Sequence, residues 1–138
     1  MIGYDQYTTL AYPYKYPIGS ITFATTEYIM KKLEQFEEEG LYTFEDKEEI
    51  IRFLIKNPDL IQELYSAHQH ICKVFGECNI HVKLYKDPEE NTEEILIVIK
   101  SKNPPEKILE LYERLFEDWY IKIMDKVFPR LDYTVETT

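Results

Sequence analysis

Residues 95–99 read "ILIVI", five apolar side chains in succession between Glu94 and Lys100. A strand with one wet face alternates apolar and polar residues; a run with no alternation is covered on both faces and belongs inside a sheet. Glu94 to Lys100 is therefore expected to be a central strand. Upstream, "NIHVKLYK" (79–86) does alternate, with Ile80, Val82 and Leu84 on one side and His81, Lys83 and Tyr85 on the other. This gives a first strand from about Cys78 to Lys86, whose polar side suits a sheet edge. The link between them, "DPEENTEE", reads as a hairpin turn begun by Asp87-Pro88. Its carboxylates Asp87, Glu89 and Glu90 lack the regular spacing of a calcium loop.

Downstream, "SKNPPEK" (101–107) offers Asn103 as a helix cap, Pro104 at the first helical position and Glu106 at the third. Apolar and aromatic residues then recur through Ile108, Leu111, Tyr112, Leu115, Phe116, Trp119, Tyr120 and Ile123 to about Val127, a band wider than a simple core stripe. Pro129 ends the helix. In "RLDYTVET" (130–137) Leu131, Tyr133 and Val135 alternate inward as a last strand. A right-handed crossover would lay it parallel to the second strand and beside it.

Toward the N-terminus, residues 26–76 read as helices. Thr25 or Thr26 can cap one that runs to about Glu39, with Ile29, Met30, Leu33 and Phe36 on one side and Gly40 as its stop. A second starts near Phe44 or Glu45 and buries Ile50, Phe53 and Leu54. A third follows Asn57 as cap and Pro58, with a stripe of Leu60, Ile61, Leu64, Ala67, His68, Ile71, Cys72 and Phe75 before Gly76. Residues 1–25 hold five of the twelve tyrosines, and Pro13 and Pro17 point to an extended arm with a short strand over Ile21 to Ala24. The expectation is one α+β domain over 1–138. It has a small mixed sheet of three to four strands in an α-β-β-α-β core, helices over 26–76, the β-β-α-β part over 77–138, and a tyrosine-rich arm over 1–25.

The chain has 138 residues, with 16 Lys and Arg against 26 Asp and Glu, a net charge of −10. The basic residues are interleaved with glutamates, so a phosphate backbone meets repulsion and nucleic-acid binding is not expected. No apolar run approaches the ~20 residues of a membrane span, and "MIGYDQYTTL" lacks the basic and apolar regions of a signal peptide. The expected setting is the cytoplasm, with no membrane contact. The high Glu and Lys content would suit a thermophile.

"HQHICKVFGECNIH" (68–81) holds every histidine and cysteine in the chain. His68 and Cys72 lie one turn apart on the third helix, while His70 points elsewhere and His81 occupies the opposite face of the first strand. Three readings stand: a metal site on His68, Cys72 and Cys78, a Cys72–Cys78 disulfide across the helix-to-strand turn, or two buried thiols beside a packed histidine. A nucleophilic thiol needs an activating base and access, and burial in an apolar stripe opposes both. With four glycines in the chain there is no Gly-rich phosphate cradle, serine elbow or dinucleotide fingerprint. No catalytic residue and no cofactor is assigned.

The stretch from "NPDLIQELYSAHQHICKVFG" through "HVKLYKDPEENTEEILIVIKSKNPPEKILELYERLFEDWY" resembles an uncharacterised family of small prokaryotic proteins over about residues 57–135. The shared pattern is a helix closed by a Phe-containing turn, an Asp-Pro-Glu hairpin, an aliphatic strand and a capped helix ending near tryptophan. Members often carry paired tryptophans where this chain has Trp119 and Tyr120. The resemblance implies the α-β-β-α-β core and supplies no activity. The expected function is a non-enzymatic protein-interaction or regulatory module that self-associates as a homodimer or binds another protein. The alternative is a small-molecule binder or small enzyme with an aromatic-lined pocket of Trp119, Tyr120, Tyr85 and His81.

Overall fold

The computed structural model describes residues 18–138, with side chains from residue 25 onward. The first helix, α1 (Ile18–Glu38), takes in residues 21–24 as helix, so the strand expected there is not formed. The part of the expected arm over residues 1–17 lies outside the described residues. Ile29, Leu33 and Phe36, at helical spacing, bury α1 against the next two helices. The helix ends as the sequence asks. Gly40 has φ +74°, its N–H donates to Glu37 O, and the Leu41 N–H donates to Phe36 O. This pair of bonds needs a left-handed residue where a side chain would be strained.

The chain then forms β1 (Thr43–Phe44), where a helix start was expected. Asp46, at φ +51°, redirects it into α2 (Lys47–Lys56). Asn57 does not cap the third helix. Its side-chain amide donates to Phe53 O (3.0 Å), closing α2 instead, and α3 (Leu60–Phe75) starts after the Asn57–Asp59 turn. α3 buries Leu60, Ile61, Leu64, Ala67, Ile71 and Val74, while His68, Cys72 and Phe75 sit half-buried on its flank.

The sheet has the order β1-β2-β3-β4, with β2 (Asn79–Asp87), β3 (Thr92–Ser101) and β4 (Leu131–Thr137). β2 and β3 form an antiparallel hairpin paired from Asn79↔Lys100 to Asp87↔Thr92. Its turn is set by Asp87, whose Oδ1 accepts the Glu89 N–H (3.0 Å), and by Asn91 at φ +55°. The Asp87 carboxylate thus serves the turn. β3 lies between β2 and β4, as "ILIVI" requires, and β4 runs parallel to it from Ile95↔Leu131 to Ser101↔Thr137. β2 is not the edge expected of it, because β1 pairs in parallel along Thr43↔His81 and Phe44↔Val82.

The crossover from β3 to β4 is α4 (Pro105–Leu115), a π-helical turn (Phe116–Tyr120) and α5 (Ile121–Val127). Asn103 binds Ser101 Oγ rather than capping α4, which begins one residue later than the proline pair suggested. The π-turn slips the helical register by about one residue. That slip lets both Trp119 and Tyr120 join Leu111 and Leu115 in the core and accounts for the broad aromatic band in the sequence.

One sheet face, carrying Ile80, Val82, Ile95, Ile97, Ile99, Leu131 and Tyr133, belongs to the continuous apolar core with the helices. The opposite face carries His81, Lys83 and Tyr85 on β2, Leu96 and Val98 on β3, and Asp132, Thr134 and Glu136 on β4. Val98 is 2% exposed yet stands outside that core, and Leu96 is half-buried. Val98 is flanked by His81 and Thr134, and Leu96 by Lys83 and Asp132. Val98 is therefore shielded within the single chain while Leu96 stays partly open, so this second face is covered only in part.

Candidate functional site

Three elements meet at one end of the sheet: the last turns of α3, the start of β2 and the end of β3. Between them lies a cleft of about 1150 Å³ lined by His68, Cys72, Cys78, His81, Lys100 and Asn103, among others. Helical spacing sets the His68–Cys72 pair, with Cys72 Sγ 3.5 Å from His68 Nε2. Gly76, at φ +73°, turns the chain back so that Cys78 enters the same cleft. His81 points to the other face of β2, but at the strand's end both faces open onto the cleft. His70 is not part of it; its ring stacks on Trp119 at 6.2 Å and 19°.

The electrostatics of the pair are those of neutral groups. Burial holds the His68 imidazole below its usual range, and the ring meets Tyr42 edge-on at 5.6 Å. Burial pushes the Cys72 thiol up, with Glu77 adding to it, and pushes Cys78 up with Cys72 adding. A thiolate–imidazolium pair needs the opposite shifts, a lowered thiol and a raised imidazole. At rest the cleft therefore holds thiols and a neutral imidazole. Cys72 and Cys78 are both free and half-buried. Among the described residues no three His, Cys, Asp or Glu side chains gather closely enough to hold a metal ion.

The rest of the rim is charged and internally paired. His81 Nδ1 lies 2.8 Å from Glu45 Oε2, and Lys100 Nζ lies 2.8 Å from Glu136 Oε1, a contact that raises the lysine and lowers the glutamate. Lys100 reaches the cleft through the β2–β3 register and Glu45 meets His81 through the β1–β2 register, which pattern reading does not supply. Asn103, read in the sequence as a helix cap, lines the cleft from the turn after β3.

The four residues of the expected aromatic pocket are not brought together. Trp119 and Tyr120 are buried on the helix side of the sheet, in ring contact at 5.6 Å and packed on Tyr133. Tyr85 is 46% exposed on the opposite face, and His81 lies at the cleft. Tyr120 Oη donates to Leu131 O and Tyr133 Oη to Tyr112 O (2.9 Å); burial drives both hydroxyls well above the ordinary phenol range. Among the described residues Trp119 Nε1 is buried without a hydrogen-bond partner, at a cost of about 1–3 kcal/mol. The aromatic cluster thus packs the core.

No helix among the described residues is long and apolar enough to cross a membrane. Comparisons with protein-family models, with curated proteins and with solved structures return no match. The family resemblance read over residues 57–135 accordingly finds no counterpart among the family models.

Proposed function

We propose that this chain is a non-enzymatic protein-interaction module of the cytoplasm that works by self-association. The observation that carries the proposal is the edge of β4, seven residues long and, among the described residues, paired with a strand on one side only, since an open strand edge is a ready template for another chain. The neutral state of the His68–Cys72 pair supports a non-catalytic role, and two free thiols suit a reducing compartment. Sedimentation velocity on the full chain is expected to show a dimer at micromolar concentration; a monomer throughout would sink the proposal.

A second reading draws on the cleft, whose size suits a small ligand. As a ligand site it would offer His68, Cys72 and Lys100. Alkylation separates the two readings. Cys72 and Cys78 are expected to react with iodoacetamide more slowly than a free thiol peptide at pH 7.5, whereas a catalytic or ligand-activated thiol would react faster.

A further inference from the structure

In the β3–β4 ladder the Ile95 N–H donates to Arg130 O (2.8 Å) and the Thr138 N–H to Ser101 O (2.9 Å). With Ile95 opposite Leu131 and Ser101 opposite Thr137, the parallel bonding pattern turns the backbone groups of Asp132, Thr134 and Glu136 toward β3. Those of Leu131, Tyr133, Val135 and Thr137 turn outward. Two of the outward groups are already used inside the chain. Leu131 O accepts the Tyr120 hydroxyl, and the Tyr133 N–H donates to Asp132 Oδ1 (2.8 Å). From the Tyr133 C=O onward the edge is open: Tyr133 C=O, Val135 N–H and C=O, and Thr137 N–H. None of these four backbone groups has a hydrogen bond among the described interactions.

We propose that this open run pairs with the same run of a second copy, antiparallel about a two-fold axis at Val135. The inference rests on the self-association reading above and names its surface and register. About that axis Val135 exchanges N–H and C=O with its mate, and each Thr137 N–H meets the partner copy's Tyr133 C=O. Four hydrogen bonds use each of the open groups named above. The Thr137 C=O faces the Tyr133 N–H that Asp132 holds, and stays in water.

Charge selects this register over its neighbours. Centred on Val135, Glu136 stands opposite Thr134, and Lys100 already pairs with Glu136. An axis at Thr134 would set Asp132 against Glu136, and one at Glu136 would set that carboxylate against itself; like charges directly opposite destabilise a strand pair. An axis at Tyr133 would need the Leu131 C=O and Tyr133 N–H, which Tyr120 and Asp132 occupy. Residues 131–137 carry no proline and no lysine, devices that proteins use to keep an edge solitary. The product is one isologous eight-stranded sheet with both helical layers on the same side.

The test is amide hydrogen exchange on the full chain across a concentration series up to about 100 µM, beside sedimentation of the wild type and of Thr137→Pro and Val135→Pro. The proposal expects Val135 and Thr137 amides to slow by about tenfold as concentration rises, while the Tyr133 amide, held within the chain, does not respond. Thr137→Pro removes an exposed outward N–H at the strand's end and leaves the β3 ladder intact. It should weaken the dimer about tenfold or more with little change in monomer stability, and Val135→Pro should act in the same direction. A dimer whose Val135 and Thr137 amides ignore concentration, and which survives Thr137→Pro, would overturn this pairing and leave association through another surface. A wild type that is monomeric throughout the series would remove both.

Discussion

At one rim of the sheet β1 lends only Thr43 and Phe44 to β2; at the other, among the described residues, no strand pairs with the outer edge of the seven-residue β4. Yet the rim with the shorter strand is the better closed. After the Glu45 N–H donates to Val82 O (2.9 Å) the chain turns at Asp46 into α2, which lies over the far half of the hairpin. From α2, Glu49 reaches Lys86 and Arg52 reaches Glu93, both at 2.8 Å. A short strand, a covering helix and charges at the edge are the usual defences against unwanted pairing. β4 has two substitutes, a tyrosine hydroxyl and a carboxylate, both at its first half. Closure by packing commits a rim to the fold, whereas closure by two side chains leaves the second half of the other rim unpaired among the described residues.

The closed rim depends most on Phe44. Its ring is buried, lies 5.9 Å from that of Tyr42, and anchors the two-residue strand. Phe44→Ala should cost about 3 kcal/mol in urea denaturation, by lost transfer energy and the cavity left behind. The Glu45 amide should exchange faster as β1 frays. A loss below about 1 kcal/mol would mean that α2 alone closes this rim and that β1 is incidental.

At the other rim the corresponding anchor is Arg130, just before β4. Its guanidinium grips Asp59 through two bonds (2.9 and 3.0 Å) and Asn57 Oδ1 (3.1 Å), tying the strand's start to the α2–α3 turn. Arg130→Ala should cost about 1–2 kcal/mol, the value of a bidentate pair in a small network after solvent screening of its exposed members. Arg130 holds the Asp59 carboxyl below its usual range. A lowered folded value means stabilisation that is complete above the unfolded carboxylate range and lost as pH falls through the folded value. The gap between Arg130→Ala and wild type should therefore hold from neutral pH to about pH 4 and close below it. A gap independent of pH would assign the cost to packing instead.

These two rims also mark how far the sequence could be read. The lack of alternation at 95–99, the alternation of Leu131, Tyr133 and Val135, and Gly40 and Gly76 as helix stops are local signals, and each led to its element. β1 is too short for any period to register, so Phe44 or Glu45 reads as a helix start. Asn57 before a proline fits either the end of one helix or the cap of the next, and only the position of Phe53 O decides. The π-turn breaks the 3.6-residue period, so the wide aromatic band leaves Trp119 and Tyr120 open to a pocket reading beside that of core packing. The cleft was half legible. Spacing and the short helix-to-strand turn place His68, Cys72 and Cys78 together, but His81 shares that space because the strand begins there, a fact of register and not of pattern. Which backbone groups of β4 face outward is equally invisible until its pairing with β3 is known.

The finest distinction between the rims turns on Asp132, whose carboxylate blocks the Tyr133 N–H. Burial pushes this carboxyl above its usual range, only partly offset by the bond from Tyr133, and its charge in turn helps to raise Glu94. A folded value above the unfolded one means the ionised group opposes folding, with its contribution most favourable below the unfolded value and lost as pH rises through the folded one. Asp132→Asn keeps the Oδ1 acceptor and removes the charge. It should stabilise the chain by about 0.5 kcal/mol at pH 7, a figure trimmed for the group's partial exposure, and the gain should vanish near pH 4. Asp132→Ala also removes the charge but frees the Tyr133 N–H, which then stands opposite the open Thr137 C=O of a second copy. Two additional hydrogen bonds per dimer should tighten association by about tenfold, measured by sedimentation at pH 7. If Ala and Asn leave the dimer equally tight, the carboxylate is not what closes the first half of this edge.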